Sequence, residues 1–243
     1  MRRRFFVDAI RNGRAKIHGE EARHLTRVLR VEAGQRFEIS DNSNVYLAQI
    51  ETARKDEVVF RALEKLESPA PEPRLILCAA LIKFDRFEWI VEKATELGAS
   101  VIVPVETARS ERGLAQAARK RLERWRRIAL EASQQARRAR LPEIHEPAAF
   151  DAALQTRADY RFALDEEPGG APLLQALPRE IPRESSVALL TGPEGGWTDR
   201  EGAAFEPAGW TRVALGGLIL RAETAALAAL AICQAVETTP PKR

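Results

Sequence analysis

Residues 189–201 read LLTGPEGGWTDRE, an apolar run broken by three glycines and a proline within five positions (Gly192, Pro193, Gly195, Gly196). Glycine loses more conformational freedom on folding than any other residue, so such a cluster marks a place where the backbone must do what side chains forbid. The run before it, VALLTG, has the β-branched and apolar character of a buried strand. Thr198 and Glu201 stand three apart in the pattern of a capping box, which predicts a helix starting at Thr198. The loop therefore lies between a strand's carboxyl end and a helix's amino end, the usual ligand crevice of an open α/β sheet. Neither G-x-x-x-x-G-K-[ST] nor G-x-G-x-x-G is present, and Glu194 opposes phosphate. Taken alone, the stretch admits a ligand loop or simply a tight connection.

A second stretch shifts that balance. Residues 215–230, LGGLILRAETAALAAL, repeat the arrangement of strand end, paired glycines (Gly216, Gly217), short apolar run and alanine-rich helix. Arg221, Glu223 and Thr224 bring charge and a hydroxyl into otherwise apolar surroundings, either as an ion pair or cap at the helix start or as site residues. Two glycine loops at the ends of successive strands can enclose a ligand that needs backbone contacts, shape and little charge. A nucleoside meets that description better than a phosphate.

Upstream, the rhythm is strand and helix in alternation. LILCAAL (75–81), SVIVPV (100–105), YRFALD (160–165), VALLTG (187–192) and TRVALG (211–216) read as strands. RFEWIVEKATELG predicts a helix with Phe87, Ile90, Val91, Ala94 and Leu97 on one face and Gly98 as its C-cap. A long helix is expected over 117–138, with Leu122, Trp125, Ala129, Ala132 and Ala136 along one stripe. This alternation argues for a mainly parallel sheet with helices on both sides. The first sixty-odd residues differ: short β-branched or aromatic strands and one helix, EEARHLTRVLR (20–30), describe a small barrel-like β domain. Three prolines in residues 67–74 mark a linker, giving domains at 1–68 and 74–243.

Bulk properties narrow the function classes. No apolar run can cross a bilayer, and residues 1–17 carry a basic flank without the apolar core of a cleaved leader. Two cysteines within apolar runs read as buried thiols and fit a reducing cytoplasm. Three scattered histidines (His18, His24, His145) suggest no metal site. Charge is uneven: residues 1–36 and 105–145 each carry a surplus of six positive charges, whereas 146–243 carry a deficit of five. Two basic regions suggest a polyanionic partner, or else solvated helix faces.

GPEGGWT with LGGLILRAETA closely resembles the signature of the ribosomal RNA small subunit methyltransferase E family, within the SPOUT methyltransferases. HLTRVLRVEAG (24–34), KFDRFEWIVEKATELGA (83–99), TARSER (107–112) and EASQQARRARLPEI (131–144) match in the same order, so the resemblance spans nearly the whole chain. Trp197 stands where an aromatic such as Phe is usual, and Gly217-Leu218 replace commoner residues.

The resemblance implies an N-terminal PUA-like RNA-binding β-barrel and a C-terminal SPOUT-type parallel sheet tied in a trefoil knot. It implies S-adenosylmethionine bound by Leu190, Gly192, Gly196, Leu215, Gly216, Leu220 and Thr224. It implies methyl transfer to N3 of a uridine in 16S ribosomal RNA, with Arg221, Glu223 and Arg109 as catalytic residues. RNA or the small subunit would be held by Arg2, Arg3, Arg4, Arg27, Arg30, Ser110, Arg124, Arg127, Gln135 and Arg138. A homodimer in the cytoplasm is expected, with no membrane partner and no metal. Another RNA target, or an RNA-binding assembly factor without catalysis, are the competing readings.

Overall fold

The computed structural model describes residues 3–67, 72–166 and 170–239, and the chain divides into two units. One is Met1–Ala70 with Ser133–Leu141; the other is Pro71–Ala132 with Pro142–Arg243.

The first unit contains β1 (Arg4–Phe6), β2 (Arg14–His18), α1 (Gly19–Arg27), β3 (Arg36–Ser40), β4 (Val45–Arg54) and β5 (Glu57–Leu66). They form one curled sheet in the order β1-β3-β4-β5-β2, parallel only at β1–β3, with β1 and β2 as its edges. In β2 the alternation is strict, Ala15 and Ile17 inward and their neighbours outward, as a half-buried strand requires. Asn12 and Gly13 both take φ > 0 in the turn closed by Arg11 N–H to Arg14 O at 2.8 Å, the twist-matching geometry of a tight hairpin. Phe5, Ile39, Ile50 and Phe60 fill the core, and α1 adds Ala22 and Leu25. Helix α1 ends at Arg27, short of the expected Arg30, and Val28 beyond it is exposed.

Residues 133–141 complete this unit. Ser40 Oγ donates to Ala139 O at 2.6 Å, and Leu141 N–H donates to Asn42 Oδ1 at 2.9 Å. Arg4 lies inward, its guanidinium bonded to Glu38 at 2.8 Å and to Arg137 O at 2.5 Å, while Arg137 also pairs with Glu38. That placement is at odds with the expectation of Arg4 as an RNA contact, because a buried guanidinium satisfied by a carboxylate offers no charge to a phosphate.

The second unit holds β6 (Arg74–Ala80), α2 (Phe84–Glu96), β7 (Val101–Glu106), α3 (Leu114–Arg119), α4 (Leu122–Gln135, its last three residues counted with the first unit), β8 (Glu143–Ile144), β9 (Ala148–Ala149) and α5 (Phe150–Ala153). It continues with β10 (Tyr160–Leu164), β11 (Ala171–Pro172), α6 (Leu173–Ala176), β12 (Glu180–Pro182), β13 (Ser186–Thr191), α7 (Asp199–Ala204), β14 (Thr211–Ala214), α8 (Ala222–Ala235) and β15 (Glu237–Thr239). The main sheet runs β11-β14-β10-β13-β6-β7-β8 with every pairing parallel, β9 also joining β7, and β12 pairs with β15 apart from it. Alternate residues of β6 and β13 bury on opposite faces. Leu75, Leu77, Val187 and Leu189 pack with Phe87 of α2, Trp125 of α4 and Leu230 of α8. Ile76, Cys78, Ala188 and Leu190 pack with Phe205 and Trp210 on the other side. A sheet covered on both faces explains why its strands read as continuous apolar runs.

The helix expected over 117–138 is two helices. Lys120 N–H and Arg121 N–H bond three residues back, to Ala117 O and Ala118 O, and α4 restarts with Trp125 N–H to Arg121 O. The tightened turn keeps Ala118, Leu122, Trp125 and Ala129 buried together, so packing overrides a sequence of good helix formers.

Candidate active site

Because the main sheet is parallel throughout, the segments that leave β6, β7, β10, β13 and β14 gather along one edge. The glycine loop after β13 is a turn closed by Gly196 N–H to Pro193 O at 2.9 Å, with Gly196 at φ 69°. Gly192 is required by a neighbour rather than by its own backbone: a Cβ there would lie 3.0 Å from the Trp197 ring. That ring is fixed on its other side, Trp197 Nε1–H donating to Leu164 O at 2.7 Å. The loop runs into α7 through the expected capping box. Glu201 N–H donates to Thr198 Oγ1 at 3.3 Å, and Thr198 N–H donates to Glu201 Oε2 at 3.0 Å. Glu201 does more than cap, since its Oε1 accepts from Ala108 N–H at 2.8 Å and anchors the segment after β7.

Arg109 and Ser110 sit on that segment. The Arg109 guanidinium donates to Gly195 O at 2.5 Å, and Ser110 Oγ donates to Leu81 O at 3.1 Å. Both therefore hold loops in place. Glu194, at the tip of the glycine loop, pairs with Arg86 of α2 at 3.1 Å. Arg86 also lies 3.9 Å from the Glu223 carboxylate.

A cavity of about 600 Å³ opens between the two glycine loops. Of the expected cofactor residues, Gly192, Gly196, Leu215, Gly216 and Leu220 line it, as does Arg221. Leu190 is fully buried within β13 and does not line it, and Thr224 lines a separate cavity with Glu223. Gly216, at φ 133°, leaves its approach open, with no atom within 4 Å of a would-be Cβ. Much of the lining is glycine-loop main chain and apolar side chain, with Asp165, Glu166, Glu194 and Arg221 as its charged members; the buried Asp165 is matched by Arg212 at 3.0 Å. Such a site holds a ligand by shape and backbone polarity.

Glu223 is 7% exposed, and its Oε2 has no hydrogen-bond partner among the described residues. The Arg221 side chain, by contrast, is exposed and carries no hydrogen bond or ion pair among the described residues. Burial pushes the thiols of Cys78 and Cys233 up to about 11 and about 12, so neither is a ready nucleophile. Among the described residues no cluster could hold a metal ion, and no helix is long and apolar enough to cross a membrane.

The expected RNA contacts are scattered. Arg3, Arg27, Arg30 and Gln135 are exposed in the first unit, and Arg138 donates to Arg140 O at 3.1 Å. Arg2 lies outside the described residues. In the second unit Arg124 makes a two-pronged contact with Glu88, at 2.7 and 2.8 Å, and Arg127 pairs with Glu131 at 3.3 Å. The Arg124 hydrogen bond holds the Glu88 carboxyl below its ordinary range. Sequence reasoning passed over Arg86 and Trp89. A cation in the first turn of α2 opposes the helix dipole, and that misfit was the available signal.

A family model for an RNA methyltransferase domain matches residues 69–234, and one for an RNA methyltransferase PUA domain matches residues 17–63. The ribosomal RNA small subunit methyltransferase E of Bacillus subtilis is 32% identical over 222 residues, covering 88% of this chain and 87% of that one. Its counterpart in Synechocystis is 37% identical over 216 residues, covering 86% and 68%. A crystal structure of the Neisseria gonorrhoeae ribosomal RNA small subunit methyltransferase E, bound to S-adenosyl methionine, superposes with a TM-score of 0.84 at 26% identity over 98% of both chains. Two glycine loops closing a cavity at the edge of a parallel sheet, preceded by a curled RNA-methyltransferase PUA sheet, thus occur here in a chain that belongs to the ribosomal RNA small subunit methyltransferase E family.

Proposed function

We propose that the chain is an S-adenosylmethionine-dependent methyltransferase acting on N3 of a uridine in 16S ribosomal RNA. The observation that carries this reading is the cavity between the two glycine loops. Its residues fit the cofactor: the main-chain and apolar parts of the wall suit a nucleoside, and of its carboxylates Asp165 is balanced by Arg212 and Glu194 by Arg86. Gly192, Gly196, Leu215, Gly216 and Leu220 would hold it. When bound, S-adenosylmethionine supplies a methyl group on a sulfonium, an electrophile that needs no further activation.

The protein's task is then alignment and handling of one proton. Uracil N3 carries a proton at neutral pH, so N3 must be deprotonated as the N–C bond forms. Glu223, a buried carboxylate with an unpartnered oxygen, takes that proton, and Arg221, exposed and unpaired among the described residues, stabilises the anionic base. Arg109 supports the site by fixing Gly195, in place of a direct part in the chemistry. N3 lies on the pairing edge, so the base is presented unpaired or swung out.

The 1–68 domain would grip RNA through Arg3, Arg27 and Arg30, and the 74–243 domain, with a trefoil knot among its loops, would carry catalysis. The enzyme would work in the cytoplasm as a homodimer, in which a second copy covers Leu218 and Ile219, 84% and 82% exposed. Mass spectrometry of ribosomal RNA nucleosides from cells with and without the protein tests the reading. Loss of 3-methyluridine alone is expected, and an unchanged 3-methyluridine level would refute it.

A further inference from the structure

The second cavity, about 450 Å³, is lined by Asp85, Arg86, Trp89, Arg221, Glu223 and Thr224. It shares Arg221 with the first cavity, so the two sites meet at that residue. Holding the methyl donor calls on neither Arg86 nor Trp89. Trp89 is 44% exposed on a helix whose other aromatic of that turn, Phe87, is fully buried. A large indole face left in a polar recess, beside two arginines and a buried carboxylate, has the composition of a base-binding site rather than of a helix surface.

We propose that this cavity is the subsite for the target base, with Trp89 stacking on the ring and Arg86, Glu223 and Arg221 together reading the pairing edge of uracil. The inference rests on the N3-uridine reading above. Uracil's pairing edge offers two acceptors, O2 and O4, on either side of one donor, N3–H. Within the cavity Arg86 and Arg221 offer two guanidinium donors and the buried Glu223 a carboxylate acceptor, beside a second, exposed carboxylate, Asp85. Cytosine has a bare N3 lone pair there, which would face the buried Glu223 carboxylate without a match, and buried mismatches of that kind are strongly rejected.

The same set serves the chemistry. As the N3 proton passes to Glu223, the negative charge left on the base spreads onto O2 and O4. Attraction to the two guanidiniums therefore grows toward the transition state. Arg86 also braces the set. Its pairing with Glu194 and its 3.9 Å approach to Glu223 tie the glycine loop to the start of α8.

The test is methyl transfer by the full chain to small ribosomal subunits that lack the modification, with S-adenosylmethionine affinity and self-association measured alongside. Trp89→Ala should raise the KM for subunits by about 5- to 100-fold, the range lost with one base–aromatic stack. Trp89→Phe should recover most of it, and cofactor Kd should stay within about twofold in both. Arg86→Gln should lower kcat by about tenfold or more, with Arg86→Lys partly restoring it. Wild-type kinetics in Trp89→Ala and Arg86→Gln would overturn the subsite, as would a Trp89→Ala loss explained by weaker self-association or cofactor binding. If the wild-type chain forms 3-methyluridine while the variants match it, only the subsite falls. If the wild-type chain forms none, the underlying reading falls with it.

Discussion

Replacing Gly192 by alanine isolates what the glycine loop demands of its sequence. The added Cβ would lie 3.0 Å from Trp197 Cε2 and 3.2 Å from its Nε1, tight enough that the ring must shift to admit it. The ring is braced, packing edge-on against Phe205 at 5.2 Å and tilted against Phe150 at 5.7 Å. Overpacking of this kind costs about 1–3 kcal/mol. A displaced indole would also give up its 2.7 Å bond to Leu164 O, worth about 1 kcal/mol. The total, about 2–4 kcal/mol, corresponds to a melting temperature lower by roughly 5–15 °C in a domain of this size. Thermal unfolding followed by calorimetry measures the loss, and cofactor titration should show weaker binding, because Gly192 and Trp197 both line the cavity. In a Trp197→Phe background the smaller ring leaves space, so the cost of Gly192→Ala should fall by about 1 kcal/mol or more. Strictly additive single and double variants would refute the steric account.

Gly196→Val should abolish S-adenosylmethionine binding, since a β-branched residue cannot adopt φ 69° without strain; retained affinity by calorimetry would make the loop a mere connection. Arg27→Ala with Arg30→Ala should weaken RNA binding and flatten its salt dependence while cofactor affinity stays intact, and an unchanged salt slope would remove these arginines from the RNA contact. The Glu88 cluster gives a pH signature. Its carboxyl is held low by Arg124, so its contribution is complete above the ordinary carboxylate range and fades as pH falls through the lowered folded-state value. Wild type should therefore lose its stability margin over Glu88→Gln between about pH 5 and pH 3, and a margin that grows on acidification would contradict the pairing.

The architecture was legible where burial is periodic and two-faced. The apolar runs of β6, β7, β10, β13 and β14 announced a covered parallel sheet, and Thr198 with Glu201 announced the start of α7. The break at Lys120–Arg121 left no trace, because arginine, lysine and alanine all favour helix and only packing around Trp125 decides against continuity. The two- and three-residue strands β8, β9, β11, β12 and β15 are too short to carry a period. At the site, the glycines and Arg221 could be read directly, since their chemistry is unusual for their surroundings. Partnerships could not. Nothing in the order of residues says that Arg109 would be bound to Gly195 O, that Arg4 would turn inward to Glu38, or that Glu194 would meet Arg86. Those are contacts across 86, 34 and 108 positions, settled only by the fold.

The first unit borrows residues 133–141, and this has a bearing on biosynthesis. Ser40, Asn42 and Glu38 find their partners at Ala139, Leu141 and Arg137, about a hundred positions downstream. On a ribosome the amino-terminal sheet can pair its strands early, and Glu38 can meet Arg4, but these three downstream contacts wait until more than half of the polypeptide has emerged. The unit is discontinuous, so a fragment cut at the proline-rich linker would be missing part of its own structure, and it should be more prone to aggregation than the same residues within the intact chain.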